Sequence, residues 1–308
     1  MSSARRYPIP WRLNLLVITL QLAAVGACMH GARVVESWSG LGLLALAFGA
    51  VMNSVYSTIH EAEHAILFPS RRWNDLTGVL LALLFPAPFH LIRQGHLGHH
   101  LRNRSDDEAF DLIIEGERPA WKRLQFYGII TGFYWVVVAL GNVLVLVLPS
   151  SLTRGNFEFD KASAAFMESL NPRYWKLIRL EALAAIILHA AILLGVGIPA
   201  GNYAIMYLGF GWMWSAMQYV HHFGTERHVT RGARNLWIWA PLDLVWLNHN
   251  WHLTHHSNPT VPWNHLPRLG VETGPGRGFL PWAYLRMWRG PRRSAEHVEN
   301  RYAGQVIR

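Results

Sequence analysis

The sequence is poor in charge and nearly free of cysteine. Charged residues make up 15% of the 308 positions, against roughly 25% in soluble domains. The single cysteine, Cys28, excludes an intrachain disulfide and any metal site built on several thiolates. No glycine-rich phosphate loop, haem domain or long internal repeat is present. Also missing are the paired Glu-x-x-His motifs by which soluble four-helix bundles hold two irons. What replaces charge is apolar length. Residues 13–29, 41–59, 127–148, 177–198 and 203–220 are runs close to the length that crosses a bilayer. They point to an integral membrane protein rather than a large soluble core.

The runs suggest helical hairpins. Residues 13–29 and 41–59 pair around a polar turn at 33–39, and 177–198 and 203–220 pair around Pro199-Ala200-Gly201-Asn202. A basic start followed by an apolar run also occurs in cleaved leaders, and Val25-Gly26-Ala27-Cys28 is like a lipoprotein cleavage box. The near-spanning length and the second run that follows favour a first membrane helix. Arg5, Arg6 and Arg12 put the N-terminus on the cytoplasmic side, as does the net charge of +9. The same charge suits an acidic partner. No nucleic-acid partner is expected. Residues 77–92, broken by Pro86 and Pro88, read as a re-entrant or interfacial segment with both flanks on one side. The tryptophan-rich stretch 237–247 suits an interface. Pro259, Pro262 and Pro267 mark an extended turn, and the Gly-, Pro- and Arg-rich segment after it reads as a cytosolic tail with a frayed end.

Histidine is the residue with a pattern. Residues 248–256 hold His249, His252, His255 and His256. Positions three and four apart share a helical face, so His252, His255 and His256 are expected to point one way. Neutral imidazole is a strong ligand for iron, copper, zinc and nickel. The same His-x-x-His-His spacing recurs at His96, His99 and His100. His60-Glu61-Ala62-Glu63-His64 again places imidazoles at i and i+4, and read alone it is the HExxH of zinc proteases with Glu61 as base. Gln218 and His222 also share a face at i and i+4. The candidate ligands are therefore His60, His64, His96, His99, His100, His222, His252, His255 and His256. One zinc takes three or four protein ligands, so nine suit two metals with room for water or an oxygen species. Ligand type leaves iron, zinc and copper open; iron would give the site a redox task. His90 and His189 read as packed polar groups. Asp106, Asp107, Glu108 and Asp111 follow the second cluster. Such carboxylates can fix the tautomer of a ligating histidine, but a solvated loop is the better reading of any single one.

For all clusters to meet, an even number of crossings must separate His100 from His252. Three apolar runs lie between them, so one does not cross fully, and 127–148 is the one singled out.

His60-x-x-x-His64, His96-x-x-His99-His100 and His252-x-x-His255-His256 together resemble the three histidine boxes of the membrane fatty acid desaturase and hydroxylase superfamily. The run from His252 through Pro259, Pro262 and Trp263 to Pro267 is similar to its bacterial acyl-lipid desaturase branch. Gln218-x-x-x-His222 resembles an Asn-x-x-x-His element of stearoyl-CoA desaturases, where the Asn reaches a metal through water. The resemblance covers residues 60–267. It implies an all-α integral membrane fold, with helical hairpins in the bilayer and a cytosolic helical cap holding the boxes. It implies one domain over 1–308, with its core at 41–267 and a basic cytosolic tail at 268–308, in a bacterial inner membrane. It further implies two iron ions, with no catalytic side chain beyond the di-iron centre, and O2 as co-substrate. Two electrons would come from a ferredoxin, rubredoxin or cytochrome b5 type donor, and the substrate would be a fatty acyl or similar lipophilic chain drawn from membrane lipid. Desaturation is the leading activity. Hydroxylation or ketolation of an alkane or carotenoid is the nearest alternative, an intramembrane zinc protease on His60 and His64 a remoter one, and a non-catalytic metal carrier a third.

Overall fold

The computed structural model describes residues 7–147, 157–274 and 276–307. Arg5 and Arg6, part of the 150–175 linker and Leu148 lie outside them. The molecule is an all-α membrane protein; its only strands among the described residues are four two-residue pieces, Leu112–Ile113 with Arg292–Arg293 and Leu236–Trp237 with Gly278–Phe279, both pairs parallel.

Three helices are long and apolar enough to span: α1 (Trp11–Val34), α2 (Trp38–Glu63) and α8, which continues a short turn so that the span runs Pro172–Val196. Their outer faces carry Leu15, Leu16, Leu20, Leu43, Leu180, Leu183, Ile187 and Leu194, all exposed. Such apolar exposure fits lipid rather than water. A fourth helix, α9 (Ala200–Val220), runs as far but is diluted by Asn202, Trp212, Trp214 and Gln218. It begins at the turn between α1 and α2, where Asn202 donates to the Ala32 and Val35 carbonyls at 2.9 and 3.3 Å. It ends at His221 and His222, beside the other boxes.

Two pairs of shorter helices turn back inside this frame. α3 (Arg71–Leu84) and α4 (Phe89–Arg102) meet at 102°, and α5 (Pro119–Thr131) and α6 (Phe133–Val147) at 94°. Asn74, in the first turn of α3, donates to Ala62 O at the box end of α2. The inner end of α3 meets the bundle where His189 and Tyr207 contact the Leu83 and Leu84 carbonyls at 2.9 and 3.1 Å. α4 then climbs back to His99 and His100. In the second pair, α5 descends along α9, with Ser215 donating to Ile129 O at 2.7 Å. α6 returns to the start of α8, where Arg179 donates to Val145 O at 3.1 Å. Each pair thus folds back on itself at its break, by length and composition either a broken span or a re-entrant loop.

Packing follows from small residues and internal polar ties. α2 and α9 approach at Ala45, Gly49 and Gly209; a Cβ on Gly209 would lie 3.0 Å from Ala45 O. Around this crossing Phe48, Met52, Val55, Met206, Tyr207 and Phe210 are buried. Small residues at such contacts are how helices associate where no hydrophobic drive separates them from lipid. Gln21 on α1 donates to Ser54 O and Thr58 Oγ1, both 2.9 Å away, on α2. Asn14 donates to Leu67 O at 2.8 Å and accepts from Trp263 Nε1 at 2.9 Å.

The described residues beyond 267 pack against the rest as a cap, and the end expected to fray is tied down at Val298 and Ile307. Leu280, Ala283 and Met287 of α13 (Leu280–Met287) pack against Phe126, Ile129 and Ile130 of α5. Val298 N–H donates to Asp106 at 2.9 Å, and Ile307 N–H to Ser169 O at 2.9 Å. Trp237, Trp239, Leu244 and Val245 are exposed.

Candidate metal centre

The nine histidines assemble into two adjoining groups. In one, the ring nitrogens of His60, His64, His96, His100 and His255 all lie within 4.8 Å of one another; in the other, those of His99, His222, His252 and His256 do so. The expectation that each His-x-x-His-His box faces one way is corrected here. A helix turns about 100° per residue, so i+3 and i+4 fall on opposite flanks of position i, about 100° apart. Box two sends His96 and His100 to the first group and His99 to the second. Box three sends His252 and His256 to the second and His255 to the first. The groups touch where the His100 and His256 rings stack, centroids 4.3 Å apart.

Each group is fed by rigid elements. His60 and His64 close α2, box two occupies the end of α4, His222 follows α9, and box three forms α11 (His252–Ser257). Within the groups Nε2 faces Nε2: His64 to His96 at 2.8 Å, His96 to His100 and His100 to His255 at 3.1 Å, His222 to His252 at 3.0 Å, and His252 to His256 at 3.2 Å. Ligands at right angles on one ion, each about 2.1 Å from it, sit about 3.0 Å apart. His60 Nε2 is buried with no protein partner. Burial first, then neighbouring imidazoles, pushes His252, His255 and His256 well below the usual histidine range. They are neutral, the form that binds metal. An all-imidazole set with converging lone pairs therefore fits a pair of first-row cations.

The surroundings orient these rings. His99 Nδ1 donates to Glu108 Oε2 at 2.7 Å, and Arg102 grips the same carboxylate at 2.8–2.9 Å. Burial raises the Glu108 carboxyl, but Arg102 and His99 outweigh it and hold the group down at about 2. Of the four acidic residues after box two, Glu108 is thus the one beside a cluster. Asp111 binds the fully buried Arg104 and the Tyr219 hydroxyl, Asp106 binds Arg227, and Asp107 accepts from Asn300. His222 Nδ1 donates to Gly232 O at 2.7 Å.

Gln218 enters neither group. Its Oε1 accepts from Tyr56 at 3.4 Å and its Nε2 donates to Trp214 O at 3.3 Å. Glu61 turns away from the imidazoles and accepts from Trp263 N–H at 3.1 Å, so it ties α2 to the turn after box three. That removes the base an HExxH protease requires. His90 and His189 lie apart, His90 against Glu181 at 2.6 Å and His189 against Tyr203. Two histidines without an assigned role line the centre. His221 bonds Asn250 at 3.1 Å, and His249 stands between the groups, its centroid 4.9 Å from His60 and 5.2 Å from His252. His249 follows Leu247 and Asn248, both with left-handed backbones at φ 49° and 54°. Non-glycine residues held there cluster at functional sites, a signal that only the structure reveals.

Comparison with known proteins agrees with this geometry. The model of the fatty acid desaturase family matches residues 36–291. A sphingolipid delta(4)-desaturase DES1-like protein of Arabidopsis thaliana is 24% identical over 84% of this chain and 70% of its own length. A probable fatty acid desaturase DES1 of Sorghum bicolor is 25% identical over 92% and 74%. A chloroplastic omega-3 fatty acid desaturase of Glycine max is 23% identical over 97% and 67%.

Proposed function

The chain belongs to the fatty acid desaturase family, and from that premise we propose an O2-dependent di-iron desaturase that introduces a double bond into a fatty acyl or similar lipophilic chain. Its class is that of a membrane oxidoreductase of lipid metabolism. The observation that carries the finer reading is the gathering of nine buried or half-buried imidazoles into two adjoining groups. His60, His64, His96, His100 and His255 would hold one iron, and His99, His222, His252 and His256 the other. Gln218, one turn before His222, is assigned an outer position reached through water.

Bound iron supplies the power to activate O2 and break an unactivated C–H bond. The chain's own residues supply placement. The boxes close the ends of α2, α4 and α9, so the centre lies where membrane helices meet the cap. The turn after box three is tied to α2 through Trp263 and Glu61, and Glu108 and Gly232 fix the tautomers of His99 and His222. The balanced reaction takes two hydrogens from neighbouring carbons, one O2, two electrons and two protons, and yields an alkene and two waters. The electrons come from an external donor of the ferredoxin, rubredoxin or cytochrome b5 kind.

We place the centre on the cytoplasmic face. Arg71, Arg72, Arg118, Arg123, Arg231 and Arg268 surround the box end, whereas the turns at 33–37 and 197–199 offer Arg33 alone among the described residues. This is the asymmetry of the positive-inside rule.

The test is expression in a host with lipid profiling by mass spectrometry. A product two hydrogens lighter, dependent on O2 and lost with His100→Ala, is expected. A product heavier by one oxygen would move the assignment to a hydroxylase, and unchanged lipids with no O2 consumption by the iron-loaded protein would refute both.

A further inference from the structure

Glu63, the last residue of α2, is completely buried, and neither carboxylate oxygen has a hydrogen-bond partner. An orphaned carboxylate in a dry site is costly, so its retention calls for a partner. The one within reach is His96, whose Nδ1 lies 3.9 Å from Glu63 Oε2. The Nε2 of that same ring faces His64 and His100 inside the first group. Arg93, whose charge also reaches Glu63, is already paired with Asp75 at 3.2 Å.

The arrangement repeats one seen at the second group. There Glu108 holds His99 Nδ1 while His99 faces His222 and His256. His96 and His99 come from one box and serve different groups, so each group has one box-two imidazole with a carboxylate behind it. Glu108 comes from the loop after the box, Glu63 from a different helix.

Building on the di-iron reading, we infer that Glu63 is a positioning residue for the first metal. It accepts the Nδ1–H of His96, fixes that ring's tautomer and raises its basicity toward the ion. Glu63 sits between His60 and His64 in sequence but acts on the helix opposite. One residue before His64, it lies about 100° round the helix from that ligand.

The experiment compares wild type, Glu63→Gln and Glu63→Ala as full-length protein in detergent. Each is stripped by chelation and titrated anaerobically with ferrous iron, and the melting temperature of each stripped form is recorded. Wild type is expected to take up two irons. Glu63→Ala should bind one of them about 10–100-fold more weakly and the other unchanged, while its stripped form melts no lower than wild type, because a buried polar group without a partner has gone. Glu63→Gln, whose amide oxygen can still accept from Nδ1, should recover most of the lost affinity. Wild-type affinity for both irons in Glu63→Ala would overturn the inference. So would a lowered melting temperature with both irons weakened, since that marks a packing role. Failure of wild type itself to bind a pair of irons would instead overturn the di-iron reading on which it rests.

Discussion

Replacing Glu108 by Leu tests how the second histidine group is held. The carboxylate is nearly buried, with its side chain 11% exposed, and it serves two partners at once. It accepts from His99 Nδ1 at 2.7 Å and pairs with Arg102, itself 5% exposed, at 2.8 Å. Leucine roughly keeps the volume but removes the charge and both acceptor oxygens. Arg102 then keeps only Ser169 Oγ at 3.2 Å, and leaving one member of a buried pair uncompensated costs about 3–5 kcal/mol. Independently, loss of an outer partner should weaken the ion held by His99, His222, His252 and His256 about 10–100-fold, or about 1.4–2.7 kcal/mol. The two costs separate in the Arg102→Leu/Glu108→Leu double variant. With the arginine gone, stability should return toward wild type, while the metal affinity should stay low because His99 still lacks its acceptor. Denaturant unfolding of the stripped protein reads the first quantity, and anaerobic iron titration the second. A Glu108→Leu variant with unaltered unfolding and iron affinity would refute the reasoning, as would a double variant that regains full affinity.

Three further outcomes are expected. Gly209→Leu should destabilise the bundle by about 1–3 kcal/mol, because a side chain there meets the Ala45 backbone; thermal melting in detergent checks it. Glu61→Gln should leave lipid oxidation within a few-fold of wild type, because an amide oxygen can still accept from Trp263 N–H; loss of all activity with iron content intact would return Glu61 to the chemistry. Burial raises the Asp106 carboxyl, but hydrogen bonds from Val298, Arg227 and His297 hold it below its ordinary value. A depressed folded pKa stabilises above the unfolded pKa and is lost as pH falls through the folded one. The docked segment 294–307 should therefore loosen below about pH 4, seen as faster hydrogen exchange at Val298 and its neighbours. Unchanged exchange from pH 6 to pH 3 would count against that anchor.

Much of the centre was legible in the chain, and the reason is local. Imidazoles three and four residues apart are a spacing, and spacing is written in sequence. The break in 77–92 was legible too, because Pro86 and Pro88 interrupt the run where α3 and α4 meet at 102°. The partition of each box was not. Whether His99 joins His96 or turns to His222 depends on which helix approaches each flank of α4. Gln218 shows the same limit, since its neighbours Tyr56 and Trp214 were set by the crossing of α2 and α9. Among four nearby acids, only the chain path shows that Glu108 reaches a histidine.

The amino-acid order by itself determined the membrane class, the inventory of clustered histidines and the ends of helices on which it sits, since apolar length and side-chain period are properties of short stretches. Tertiary structure alone decided that the imidazoles form two groups rather than one, that Val298 and Ile307 tie the last described residues to Asp106 and Ser169, and that Glu63 and His249 border the centre. Those facts depend on distances between segments far apart in sequence, which only close packing of the helices sets.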